Sequence, residues 1–259
     1  MSATANTGPQ GNPGDILNWP MLKIAYRTDP AAIAGLLPPG ISPGSEPLVS
    51  ITIYNFPVHN EPEYGLVVNV AADYAGIAGD YTLAIGINQE APLFVCHEMW
   101  GQPKFPCETV YFRLGNHVEA KCIHQGCTFL EFRGEVGGTL DNPPEHETNE
   151  WWVKHLRSVD PTAAGVYDFP PHVVRVWSKY GTAFLQEVRG TLTLRESAWD
   201  PIATLLPVRS EPTATLWTPI FKDRRITREG PLDPQGFWPF VDTIGGTRWP
   251  GASGAPKKP

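Results

Sequence analysis

The chain has 259 residues, enough for one large domain or two small ones. Glycine (25) and proline (28) make up about a fifth of it, which predicts few long helices and many short strands, and hydrophobic residues at 41% with nine tryptophans exclude a disordered chain. A formal charge of −7 argues against nucleic-acid binding, and no apolar run is long enough to span a membrane.

Residues 1–15 are polar, rich in glycine and proline, and lack the apolar centre of a leader; they read as a mobile tail, as do residues 251–259. Residues 16–250 show no repeat, charge block or linker and read as one domain. Met21–Arg27 predicts a strand. It runs into Asp29-Pro30, an N-cap followed by a proline at the first helical position, so Ala31–Leu37 reads as a short helix stopped by Pro38-Pro39-Gly40. Pro47–Tyr54, Tyr64–Ala71 and Asp80–Ile87 read as strands, and so does the apolar run Pro92–Glu98. Val118–Val136 alternates like a hairpin turning at Gln125-Gly126. Trp152, His155, Leu156 and Val159 recur at helical spacing, which predicts a helix over Asn149–Val159. Val173–Trp177 and Ala183–Glu196 are further strands, and Asp200 is placed to cap a short helix over Pro201–Leu206. Many closely spaced strands and few helices predict a mainly β fold: an antiparallel, closed or nearly closed barrel with short helices at its margin.

The four cysteines, Cys96, Cys107, Cys122 and Cys127, are too few for a disulfide scaffold and form no C-x-x-C pair; reduced thiols suit a cytoplasmic protein. Cys122 and Cys127 straddle the predicted turn and read as cross-strand thiols rather than zinc ligands, because no further ligands follow at suitable spacing. The seven histidines show no metal pattern and no glycine-rich phosphate loop is present, so neither metal nor cofactor is expected. Glu145-His146-Glu147 reads as a solvated loop, and Trp151-Trp152 as core or subunit contact.

Lys104 follows a proline near the end of the apolar stretch Ala91–Cys96, with Trp100, Phe105 and Phe94 as local wall residues. A free lysine amine has a pKa of about 10.4. Apolar surroundings disfavour its ammonium, and a neutral amine attacks ketones and aldehydes. Lysines are nonetheless ordinarily surface residues whose apolar stem carries the head to solvent. Composition alone therefore leaves Lys104 either a surface residue or a Schiff-base candidate.

Tyr26-Arg27-Thr28-Asp29, Glu46-Pro47-Leu48-Val49, Gly79-Asp80-Tyr81, and Glu98 with Pro103-Lys104 six residues on together resemble the acetoacetate decarboxylase family. The resemblance runs in order from about Trp19 to Val136 and weakens afterwards, although Glu196-Ser197-Ala198-Trp199 is similar to a later family strand end. It implies that Lys104 is the imine-forming lysine, that Arg27 holds a substrate carboxylate with its planar fork of donors, and that Glu63 is the active-site glutamate. Read without the family, Arg27 is a surface ion-pair partner and Glu63 a solvated turn residue. The resemblance further implies a homo-oligomer acting on a small oxo acid.

Two departures stand out. The family's decarboxylase carries a second lysine directly after the nucleophile, where this chain has Phe105, so the amine is expected to be kept neutral by exclusion of water rather than by a neighbouring charge. Thr52 takes the place of a second acidic residue. These differences favour a changed reaction. An imine can lose a neighbouring proton to become an enamine, which attacks an aldehyde and then loses water. Glu63 would move the protons, Tyr64 or Gln102 would bond the departing oxygen, and Trp100 and Phe105 would line the pocket. The expected function is aldol condensation with dehydration, or its hydrolytic reverse. The alternatives are decarboxylation of a β-keto acid and a barrel that binds a carbonyl or aromatic ligand without turnover. Trp217, Phe237, Trp238 and Tyr180 are all candidates for the rest of the wall.

Overall fold

The structure is a computed structural model that describes residues 11–17, 20–58, 61–160, 162–241 and 249. The expected tails therefore lie outside the described residues except for 11–15, of which Asp15 makes an isolated bridge with Phe112. In chain order the elements are β1 (Met21–Arg27), α1 (Pro30–Leu36), β2 (Ser42–Pro43), β3 (Leu48–Val58), β4 (Glu61–Tyr74), β5 (Ile77–Ile87), α2 (Glu90–Trp100) and β6 (Lys104–Pro106). Then follow β7 (Glu108–Leu114), β8 (His117–His124), β9 (Cys127–Thr139), β10 (His146–Arg157), β11 (Tyr167–Leu194), α3 (Ile202–Leu205), β12 (Thr213–Pro231) and α4 (Pro234–Phe237).

The strands form one sheet in the order β10-β5-β4-β3-β1-β12-β11-β9-β8-β7. Because β10 also pairs with β11, the seven strands from β10 to β11 close into a ring, and β9, β8 and β7 continue as an arm beyond it. The pairing is antiparallel except at β5, which runs parallel to both β10 and β6. The mainly β, ring-closed architecture with short helices matches expectation, apart from those parallel joints.

Alternation places the two faces. Leu22, Ile24 and Tyr26 of β1, Val49, Ile51 and Ile53 of β3, and Leu66, Val68 and Val70 of β4 are buried. They pack in one cluster with Tyr111, Val118, Ala120, Cys122 and Phe132 of the arm. Each buried Val, Leu, Ile or Phe side chain contributes about 1.5–3 kcal/mol on burial. The intervening residues, Lys23, Thr52, Val67 and Asn69, face the other way and line the inside of the ring.

Local expectations fared unevenly. The hairpin is present: β8 and β9 pair antiparallel, and Gln125 and Gly126 turn it with φ of 51° and 76°. Val173–Trp177, and Ala183–Glu196 up to Leu194, are parts of the single long β11, bent by register shifts near Tyr180 and Phe184. Pro92–Glu98 is not a strand but the body of α2. An apolar run of that length does not distinguish the two. Glu90 in the first turn, His97 in the last, and left-handed Gly101 at the C-cap decide for the helix. Asn149–Val159 is not a helix but most of β10. The apolar spacing is incidental, while His146, Thr148, Glu150 and Trp152 follow the period of two and face the ring interior. The expected loop at His146 is thus the start of that strand. Asp200 does not cap α3; it is fully buried, and its carboxylate meets His124 Nδ1 at 2.7 Å. Cys122 and Cys127 are free thiols on the paired strands β8 and β9, as expected, but do not face each other: Cys122 is in register with Leu130 and its thiol hydrogen-bonds the Cys107 thiol.

Candidate active site

The interior of the ring holds a cavity of about 410 Å³. Lys104 enters it from the first position of β6, whose register sets Lys104 beside Ile85 and, through β4 and β3, in one cross-sheet row with Val67, Thr52 and Lys23. Gly101 starts this placement. Its φ of 70° turns the chain out of α2, and a Cβ there would run into the Val153 carbonyl and the Lys154 backbone. Pro103 O then accepts the Ile85 N–H at 3.0 Å and ties the loop to β5.

The Lys104 side chain is 8% exposed and its Nζ lies 3.9 Å from Glu63 Oε2. Nζ also donates to Cys96 Sγ at 3.5 Å, a contact supplied by α2. Glu63 is 2% exposed, and its other oxygen accepts from Tyr54 Oη at 3.0 Å. The Tyr54 ring occupies the space where a Cβ on residue 65 would stand, so Gly65 is what allows the approach. Burial raises the Glu63 carboxyl above its ordinary value, opposed by the Lys104 charge and the Tyr54 hydrogen bond. Glu63 Oε2 and Gln102 Oε1 are buried without a hydrogen-bond partner, and both residues line the cavity. The arrangement can attack a carbonyl with an amine and exchange a proton beside it.

A second set of charges shares the cavity. Lys23 Nζ donates to Thr52 Oγ1 at 2.9 Å and stands 5.3 Å from the centre of the Trp217 ring. Burial lowers its ammonium, opposed by Glu150 and Asp80. Burial raises Asp80 to about 6, with Glu150 adding to the rise and Lys23 opposing it. Glu150 accepts from Asn69 Nδ2 at 3.2 Å. Exposed Arg224 donates to Ser178 Oγ at 3.1 Å and Tyr180 Oη at 2.9 Å, and lines the cavity with Tyr180 and Trp217.

The residues singled out from sequence are thus only partly brought together. Lys104, Glu63 and Gln102 share the cavity, with Tyr180 and Trp217 in its wall. Arg27 is outside it, on the surface, paired with Glu46. Tyr64 is also outside, donating to Asp15 Oδ2 at 2.7 Å. Trp100 packs behind the wall against Trp152, and Phe94 is exposed. Phe105, next to Lys104 on a strand, points to the opposite face and packs on His124 at 4.9 Å between ring centres. Phe237 is core, and Trp238 packs against it. Exclusion of water by Phe105 is therefore not the arrangement found: Lys104 shares the cavity with two other cations, Lys23 delivered by β1 and Arg224 from β12. Lys23, Tyr54, Asp80, Glu150, Trp152 and Arg224 were not among the site residues expected from the sequence. The period-two pattern of β10 was the signal that could have found Glu150 and Trp152.

Comparison with known proteins gives this site a context. Acetoacetate decarboxylase of Paraburkholderia phytofirmans is 35% identical over 108 residues, which span 40% of this chain and 41% of the relative. The solved acetoacetate decarboxylase of Legionella pneumophila superposes with a TM-score of 0.65 at 18% identity, covering 86% of this chain and 92% of that one. The enduracididine biosynthesis enzyme MppR, complexed with the condensation product of pyruvate and imidazole 4-carboxaldehyde, gives 0.62 at 16% identity, covering 80% of this chain and 86% of that one. The profile of the acetoacetate decarboxylase family matches residues 2–227, nearly the whole described fold, and the chain belongs to that family.

Proposed function

We propose that the protein is a Schiff-base lyase that joins a pyruvate-like oxo acid to an aldehyde through an imine on Lys104. The observation that carries this reading is the buried Lys104 amine inside the cavity, 3.9 Å from the buried Glu63 carboxylate. The amine adds to the keto carbon and water leaves, forming the imine. The iminium draws electrons from the adjacent methyl group, and Glu63 takes the proton as the enamine forms. The enamine carbon attacks the aldehyde carbon, whose oxygen takes a proton. Loss of a second water and hydrolysis of the imine release an unsaturated 2-oxo acid and free Lys104. A carboxylate whose pKa is raised by burial is a stronger base for this proton than an ordinary glutamate, and once protonated it holds the proton for the later steps. Gln102, with a buried unpartnered oxygen, is placed to receive a hydroxyl proton of the adduct. With Arg27 on the surface, we assign the substrate carboxylate to Arg224. The pyruvate-derived product held by MppR, which shares the fold, supports the condensation.

Decarboxylation of a β-keto acid uses the same imine, and the curated relatives named acetoacetate decarboxylase favour it as the second reading. Borohydride trapping with pyruvate, read by intact mass, tests the common step: wild type gains one reduced adduct and Lys104→Ala gains none. An equal adduct on Lys104→Ala would remove the proposal. Rapid release of CO2 and acetone from acetoacetate would decide for decarboxylation. Self-association belongs to the same proposal. α2 buries none of its residues and exposes Phe94, Val95 and Met99, and light scattering on the purified chain tests it.

A further inference from the structure

The cavity has more polar equipment than the imine chemistry uses. Asp80 and Glu150 are register partners on the parallel strands β5 and β10, and both line the cavity. Asn69, 6% exposed, donates through Nδ2 to Glu150 at 3.2 Å, which fixes the orientation of its amide. Asn69 lines the same cavity, and its Oδ1 is buried without a donor.

A donor count shows what is missing. Two carboxylates and the Asn69 oxygen are acceptors only. The cation beside them is Lys23, and one of its three ammonium protons already goes to Thr52 Oγ1 at 2.9 Å. Among the described residues, Arg224 is engaged by Ser178 and Tyr180 and Lys104 faces Glu63, so in this corner acceptors outnumber the donors of Lys23 and Asn69, and one negative charge is left over there when both carboxylates are ionised. Buried acceptors without donors are costly, and an added donor that reaches them is rewarded. An anionic group would meet two carboxylates here. The Trp152 side chain, two residues from Glu150 on the same face of β10, and the Trp217 ring beneath Lys23 supply flat apolar walls suited to a planar cation.

We propose that Asp80, Glu150 and Asn69 form a second subsite that takes a planar, cationic nitrogen head group (an amidinium, guanidinium or imidazolium) on the aldehyde partner. The oxo acid's carboxylate stays on the Arg224 side of the cavity. The assignment of this group to an aldehyde rests on the imine reading of Lys104, but occupancy of the subsite does not.

Benzamidine and benzoate, which have the same ring, opposite charge and no carbonyl to condense with Lys104, separate the two claims. Titration of the full-length wild-type protein is followed by calorimetry and repeated with Glu150→Gln. The expected result is that benzamidine binding weakens about tenfold or more, a loss on the scale of one charge-assisted hydrogen bond, while benzoate binding is unchanged or tighter. Unchanged benzamidine affinity, or equal weakening of both probes, overturns the proposal. If Glu150→Gln does not fold, Asn69→Leu removes the unpartnered acceptor and is read in the same way. Failure of borohydride trapping with selective benzamidine binding intact would sink the imine and leave the subsite standing.

Discussion

Replacing Glu63 by glutamine removes one proton and one charge from the candidate site with almost no change of shape. The carboxylate oxygen facing Lys104 lies 3.9 Å from Nζ, and both side chains are nearly inaccessible. At an effective dielectric of about 20, a full charge at that distance attracts the nitrogen's positive charge by about 4 kcal/mol. The iminium keeps that positive charge, so Glu63→Gln withdraws stabilisation from the intermediate as well as the proton carrier. Loss of general acid–base assistance lowers turnover roughly 10²–10⁴-fold. The Tyr54 hydroxyl still has an oxygen to bond, so folding is expected to survive. The assay is paired: condensation of pyruvate with an aldehyde, followed by absorbance of the unsaturated product, and borohydride trapping on the same preparation. Trapping persists while turnover falls. Turnover within about tenfold of wild type would refute the role of Glu63 as proton carrier. Loss of the adduct in a folded protein would refute the division of labour between it and Lys104.

Gly101→Ala forces a left-handed residue with a Cβ against the β10 backbone, and should cost at least about 1–2 kcal/mol in urea unfolding and reduce trapping by displacing Lys104. Arg27→Ala removes an exposed ion pair with Glu46, so stability changes by about 1 kcal/mol or less and KM for pyruvate stays as in wild type, whereas Arg224→Ala raises KM. Equal KM effects would reverse the carboxylate assignment. Asp80 titrates at about 6 in the fold against an ordinary 3.8, so the folded state holds its proton longer. Its contribution to stability is present below about pH 4 and is lost as pH rises to about 6. Asp80→Asn should flatten that part of the stability curve, and a wild-type slope in the variant would contradict it.

The ordered tetrapeptides and the density of turn residues carried the family, the β class and the pair Lys104 and Glu63, because those signals are local in the chain. Alternation in Met21–Arg27 and Tyr64–Ala71 was legible for the same reason, since a strand shows its two faces at a period of two. The short apolar run before Lys104 and the mixed run after Asn149 were misassigned, because apolar spacing over so few residues fits either period. The left-handed cap at Gly101 and pairing with β5 and β11 decided them. Phe105 shows the limit most sharply. As the neighbour of Lys104 it looked like the wall of the amine, yet alternation turns it to the opposite face. The cation in the cross-sheet row of Lys104 is Lys23, 81 positions earlier, through a register running across β1, β3, β4, β5 and β6. Residue identity determined which chemistry was available to this protein. Closure of the ring decided which of those residues share one cavity, because cross-strand register joins positions that the chain keeps far apart.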